Sequence, residues 1–242
     1  MGFTLQIQTR KKQKVTSNKC CLFIGNTRWH WGFQTQAKWI FEDTFPNSNQ
    51  LKENKDLIWK WGAVGPVPAN SQLDPNKCIK IEEIPLLKLP EWIGLDRALA
   101  SWAAFQKAKS ANLHSEGILI ADAGTILSLT RITAKGEFAG GQLIPGLQLQ
   151  RSAMSNRSEK LSPVKSQNIP TKQFPSSTEE AMLRGSFQAL LGALLEAQKE
   201  ASMPLWLCGG DSKILFDHLK SRNVAVYHHP NLVLEAMIKI NC

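Results

Sequence analysis

Long hydrophobic runs are missing from this chain. Nowhere in its 242 residues do 18 apolar residues stand together, which argues against a helical membrane span. The first residues also lack the apolar stretch of a secretory signal. Cysteine is sparse: Cys20, Cys21, Cys78, Cys208 and Cys242 show neither paired metal spacing nor a disulfide framework. Cys20 and Cys21 adjoin within a predicted strand and read as reduced, packed residues, so a reducing cytoplasm is the expected setting. Acid is absent from residues 1–19, whose Arg10, Lys11, Lys12, Lys14 and Lys19 account for more than half of the net charge of +9. That stretch reads as a disordered basic extension. No zinc-finger spacing, RNP-type aromatic motif or helix-turn-helix pattern accompanies it, so a solvated tail is favoured and nucleic acid is not the expected partner.

What is present is an ordinary globular balance, with 43% apolar and 20% charged residues, and enough length to bury a core in one or two domains. Its most informative feature is a short motif that occurs twice. Phe23-Ile24-Gly25-Asn26-Thr27 and Asp122-Ala123-Gly124-Thr125-Ile126 each follow an apolar run and lead into another extended stretch. Each reads as strand, glycine turn, strand. Glycine lets backbone approach a phosphate closely and aim N–H groups at it, so two facing hairpins would grip a nucleotide from both sides. The second copy begins with an acid able to hold a cation; the first begins with Phe23.

Around these turns the pattern predicts strands over 20–25, 28–34, 57–64, 117–121, 126–133, 136–143, 204–208 and 223–228. Residues 43–56 read as polar and turn-rich, and 155–176 as a mobile surface loop. A helix is expected over 96–107, with Asp96 in its first turn. Ser177 followed by Glu180 has the form of a capping box opening a long helix, with Met182, Gly185, Ser186, Ala189, Leu190, Ala193, Leu194 and Ala197 on one face. A terminal helix is expected over 232–240. Two hairpin-first halves finished by helices give a duplicated α/β architecture, divided as a tail (1–19), a first half (20–109) and a second half (110–242).

Six motifs stand in one order: Gly25-Asn26-Thr27-Arg28, Gly94-Leu95-Asp96-Arg97, Asp122-Ala123-Gly124-Thr125, Gly140-Gly141-Gln142-Leu143-Ile144-Pro145-Gly146-Leu147, Thr178 to Gly185, and Gly209-Gly210-Asp211. Together they resemble type III pantothenate kinases, members of the superfamily of sugar kinases, Hsp70 and actin. The resemblance runs from Cys20 to the C-terminus. It implies mixed sheets in duplicated ribonuclease H-like halves and ATP-dependent phosphorylation of pantothenate, the first step towards coenzyme A. By the same matching Asp96 is the general base, while Gly94, Leu95, Arg97 and Thr178 bind pantothenate. Ile24, Gly25, Asn26, Thr27, Arg28, Thr125, Gly209 and Gly210 would hold ATP with its Mg²⁺. Asp122 would ligate a monovalent cation, K⁺ or NH₄⁺, and the working unit would be a homodimer. Phosphoryl transfer needs positioning and charge neutralisation more than covalent chemistry, so these parts suffice.

Two departures stand out. The family's first motif begins with aspartate where this chain has Phe23, and a phenyl ring cannot serve a metal or its water shell. The family also tends to carry a tyrosine shortly before Gly-x-Asp-Arg, whereas residues 86–93 contain none; Trp92 offers either a substitute wall or a core residue. Phe23 keeps open a second reading, a catalytically impaired relative that binds nucleotide or a partner. A nucleic-acid accessory acting through the tail is the third and least favoured.

Simpler roles compete at single residues. Asp96 suits a helix start on its own account, and Thr178 follows a helix cap. His30, between two tryptophans on a strand, reads as packed or solvent-facing. His228 and His229 are discounted as a metal pair because strand neighbours point to opposite faces. The eight tryptophans read as core or interface residues.

Overall fold

The computed structural model describes residues 18–36, 38–164, 166 and 168–240. All but the last two residues of the basic extension, and Cys242, lie outside them. Apolar residues on either side of Gly25 run as β1 (Cys20–Ile24) and β2 (Trp29–Gln34), an antiparallel pair that sets Phe23 opposite His30. β3 (Trp39–Thr44) continues the ladder beyond β2 and sets Asp43 opposite His30. The short α1 (Ser48–Asn54) leads to β4 (Ile58–Ala63), which lies parallel to β1 and closes a sheet of order β3-β2-β1-β4.

The second half repeats this plan. β5 (Ile118–Ala123), β6 (Ile126–Ile132) and β7 (Phe138–Pro145) form an antiparallel meander, and β8 (Leu205–Cys208) and β9 (Val226–His228) add in parallel, giving β7-β6-β5-β8-β9. Strand for strand, β1 to β4 correspond to β5 to β8, which is the duplicated ribonuclease H-like arrangement. The second crossover carries α3 (Leu147–Arg157) and α4 (Thr178–Ala201); a parallel pair always requires such a detour.

β5 is apolar at nearly every position because both of its faces are covered. Ile118 and Ile120 join a core with Cys21, Phe23, Trp206 and the inner sides of α2 (Leu95–Ser110) and α6 (Leu232–Lys239). Leu119, Ala121 and Ala123 join a second core under α4 and α5 (Ser212–Lys220). Ala98, Ala100, Ala104 and Ala108 of α2 are wholly buried, and α2 packs on α6 and β5. The final helix thus returns from the end of the chain to lie against β1 and β2.

Some expectations shift. The polar stretch 43–56 contains the end of β3 and α1, and α3 fills the approach to the long loop, whose described residues between Ser158 and Ser177 form no helix or strand. The buried stripe of α4 is Met182, Leu183, Ser186, Phe187, Leu190, Leu191 and Leu194, while Gly185 and Ala189 are exposed. The large residues set that face, each contributing roughly 1.5–3 kcal/mol on burial, and the small ones turn outward. The described cysteines are all unpaired. No helix among the described residues is long and apolar enough to cross a membrane.

Candidate active site

The two glycine turns leave corresponding strand ends and meet: Thr27 Oγ1 lies 2.8 Å from Thr125 Oγ1. Each turn is braced in the same way. Gly25 N–H donates to the Arg28 carbonyl at 3.0 Å, and Gly124 N–H to that of Ile126 at 3.2 Å. The turns thus consume the N–H groups of the two glycines themselves. Among the described residues, the N–H groups of Asn26, Thr27 and Thr125 have no backbone partner and are the donors left to face the cleft.

Neighbouring glycines admit backbone against the turns. A Cβ on Gly65 would overlap the Gly25 carbonyl, and one on Gly146 would overlap the Gly124 carbonyl. One on Gly209, whose φ is +90°, would strike both the Asp122 carboxylate and the Ala123 carbonyl. Gly209 therefore shapes the floor beneath the second turn, whereas Gly210 faces open space.

α2 begins at the cleft. Gly94 is its cap, and Arg97 N–H donates to Asp96 Oδ1 at 2.8 Å. Asp96 is half-buried, and desolvation pushes its carboxyl above the ordinary range, offset in part by that N–H and by the Arg97 guanidinium. An acid held this way suits proton transfer better than a solvated helix-start carboxylate. The Arg97 side chain is buried: Nε donates to Thr130 Oγ1 at 3.4 Å, and a Cβ on Gly141 would lie 2.7 Å from Nη2. Its guanidinium lies 5.8 Å from the centre of the Trp92 ring, which is 70% exposed and packs edge-on to Phe138. Trp92 is thus a wall beside Arg97, not a core residue.

Asp122 sits across from Asp96. Burial, and next the charge of Asp96, push its carboxyl up to about 7, while the Cys208 thiol donates to it. Two carboxylates so placed call for a cation between or beside them. The Asp122 carboxylate and the Ala123 carbonyl, both lying against Gly209, are oxygen donors that could hold a cation.

The row across the first sheet at this level reads Gly62, Phe23, His30, Asp43; the matching row in the second reads Cys208, Asp122, Ser128, Leu143. Phe23 is 2% exposed and packs with Leu95 in the core, its ring 6.4 Å from that of His30. His30, read from the sequence as packed or solvent-facing, is intermediate in exposure. Its Nδ1 is 2.6 Å from Asp43 Oδ1, and a Cβ on Gly25 would lie 3.4 Å from its Nε2. It lies near enough to Asp96 and Asp122 to lower the carboxyl pKa of each. Only the strand register could have revealed it.

Sequence reasoning passed over Arg151. It is buried in α3 facing the charge of Asp211, and its Nε and Nη2 find no hydrogen-bond partner among the described residues. Arg28 stacks on Phe45, 3.5 Å from the ring centre. Thr178 is exposed at the first position of α4, where the Ser177 hydroxyl accepts from Glu180 N–H at 3.3 Å; the cluster's hydrogen bonds do not include it. His228 and His229 diverge as expected, one to Ser212 and Phe216, the other to Trp206.

Residues 79–199 match the family model of type III pantothenate kinase. A type III pantothenate kinase of Thermosynechococcus vestitus is 31% identical over 216 residues, covering 85% of this chain and 82% of the relative. The chain belongs to the type III pantothenate kinase family. A family member from Synechococcus sp. (strain JA-3-3Ab) is 29% identical over 222 residues, covering 88% of each chain. Among solved structures, a Campylobacter jejuni protein assigned to a Baf family of transcriptional activators aligns with a TM-score of 0.60 at 20% identity, covering 91% of this chain and 96% of that one. A Sinorhizobium meliloti protein assigned as a 2-dehydro-3-deoxygalactonokinase aligns with a TM-score of 0.50 at 10% identity, covering 91% and 94%. These likenesses concern the fold, that of the actin-like sugar kinases.

Proposed function

We propose that this chain transfers the γ-phosphoryl group of ATP to the hydroxyl of pantothenate, giving 4′-phosphopantothenate at the start of coenzyme A synthesis. The observation that carries the reading is Asp96, a half-buried carboxylate of raised pKa at the mouth of α2, beside Arg97 and facing two phosphate-type turns that touch through Thr27 and Thr125. Asp96 takes the proton from the attacking hydroxyl. Arg97, with the backbone of Gly94 and Leu95, receives the pantothenate carboxylate, and Trp92 walls the site where a tyrosine is missing. Ile24 to Arg28 and Thr125 hold the phosphates, and Gly209 and Gly210 line the adenosine side.

Phe23 offers no ligand at the first turn, so the divalent ion is taken to arrive with the nucleotide and to be held chiefly by its phosphates. Asp122 holds K⁺ or NH₄⁺, which supplies charge neutralisation when bound. Residues 20–109 and 110–242 act as two halves about this cleft. A homodimer is part of the reading: Gly185 and Ala189 leave an exposed stripe of small residues on α4, and Thr178 at its start would reach a partner's pantothenate. The non-catalytic alternative suggested by Phe23 is not favoured by membership of an enzyme family.

The test is phosphoryl transfer from ATP to pantothenate by the purified chain, with Mg²⁺ present and K⁺ or NH₄⁺ varied. Cation-dependent turnover that disappears in Asp96→Asn is the expected result. ATP binding without any turnover would refute the assignment.

A further inference from the structure

We propose that His30, braced by Asp43, takes the place of the missing first-turn carboxylate and meets the nucleotide's phosphates directly as a hydrogen-bond donor, an inference that rests on the kinase reading above. The comparison of the two halves carries it. At the position where the second half has Asp122 followed across the sheet by Ser128, the first has Phe23 followed by His30. The carboxylate of the first half is not lost from this row; it stands two strands away as Asp43, joined to the cleft by the imidazole. The 2.6 Å bond to Asp43 fixes Nδ1–H and the ring plane, leaving Nε2 beside the Gly25 turn. Phe23 packs against the ring and limits its swing.

Charge explains the exchange. A carboxylate facing phosphates repels them unless a metal ion and its water stand between. An imidazolium needs no intermediary: Asp43 accepts from one nitrogen and a phosphoryl oxygen from the other. The groups around His30 suit a cation. Asp43 is bonded to it, Asp96 and Asp122 face it across the cleft, and Arg28, stacked on Phe45, lies near enough to lower the Asp43 carboxyl pKa as well. The hydrogen bond from His30 is the largest influence lowering the Asp43 carboxyl pKa, which fits the 2.6 Å separation of the two groups. Phe23 then has a positive role, since it fills the space of an acid that this arrangement does not use.

The experiment compares wild type, His30→Ala, His30→Gln and Asp43→Asn, measuring binding of a non-hydrolysable ATP analogue and of adenosine, together with KM for ATP and for pantothenate. Thermal melts check folding, and His30→Gln keeps an N–H near Nε2. Loss of one charge-assisted hydrogen bond predicts that His30→Ala weakens analogue binding and raises KM for ATP by roughly 10- to 100-fold. Adenosine affinity and KM for pantothenate should stay within about twofold. His30→Gln should recover part of the loss, and Asp43→Asn should fall between the two. Unchanged analogue binding in His30→Ala would overturn the assignment, as would parallel losses for ATP analogue and adenosine, which would mark His30 as merely structural. If wild type bound the analogue but phosphorylated no pantothenate, the kinase reading alone would fall, and the binding comparison would still decide the role of His30. No analogue binding by wild type would overturn both.

Discussion

Asp96 carries two demands that pull in opposite directions. As the proposed base it needs its charge, yet burial raises its carboxyl pKa, so the ionised form costs the folded state free energy at neutral pH. Asp96→Asn should therefore cut kcat by about 10²–10⁴-fold while leaving the melting temperature at pH 8 equal or higher. That stability gain should shrink as the pH falls through the raised carboxyl range, because the wild-type acid then becomes neutral too. A helix-start role alone would give the reverse, a loss of roughly 0.3–1 kcal/mol on neutralisation. Asp122 makes the same point about cations. With its carboxyl pushed up to about 7, the native chain keeps a proton that the unfolded chain releases near its ordinary value of 3.8. Stability should then decline as the pH rises between those values and level off above. K⁺ or NH₄⁺ should restore melting temperature at pH 8 and do little at pH 5, where the site is protonated; melts in KCl against choline chloride measure this. An equal response at both pH values would remove Asp122 as the cation's ligand.

At the scale of elements, the glycine loops are the parts least able to change. Gly209→Ala sets a side chain at φ +90° against Asp122 and the Ala123 carbonyl. It should cost stability by about 1–3 kcal/mol and raise KM for ATP, read by denaturant melts and steady-state kinetics. Gly192→Ala, inside α4 with open space around it, should instead stabilise by roughly 0.5–1 kcal/mol. Elements whose pattern is local were readable from sequence: the hairpins about Gly25 and Gly124, the alanine-rich α2, and α4 with its Ser177 cap. α1 and α3 were not, since each buries only one or two residues and shows no apolar stripe. α1 is set instead by Asn47, whose side chain accepts from the N–H groups of Asn49 and Gln50. The site divides likewise. Asp96, Asp122 and the glycine turns are consecutive motifs. His30 gains its meaning only from Asp43 on a different strand, a register that no local signal encodes.

The whole molecule is tied together by its last helix. α6 covers α2, β1 and β2; Lys107 pairs with Glu235 at 2.8 Å, and Lys60 donates to the carbonyl of Ile240. The Lys107–Glu235 pair is worth at most about 1 kcal/mol at its exposure, so apolar burial by Leu232, Leu234, Ala236 and Met237 does most of the holding. Removing residues 232–242 should abolish a cooperative melt and near-ultraviolet circular dichroism, not just weaken them. A truncated chain that still unfolded cooperatively would show that the first half closes by itself.

The return of α6 to β1 also bears on how the chain is made. β1 leaves the ribosome well before α6, so until α6 emerges one face of the first sheet waits without its cover. Chains arrested before residue 232 should leave β1 open to protease and to chaperones that bind apolar surface, with protection arriving in one step once α6 has emerged. Order of emergence thus leaves β1, where the first glycine turn begins, waiting on a helix more than two hundred residues further along.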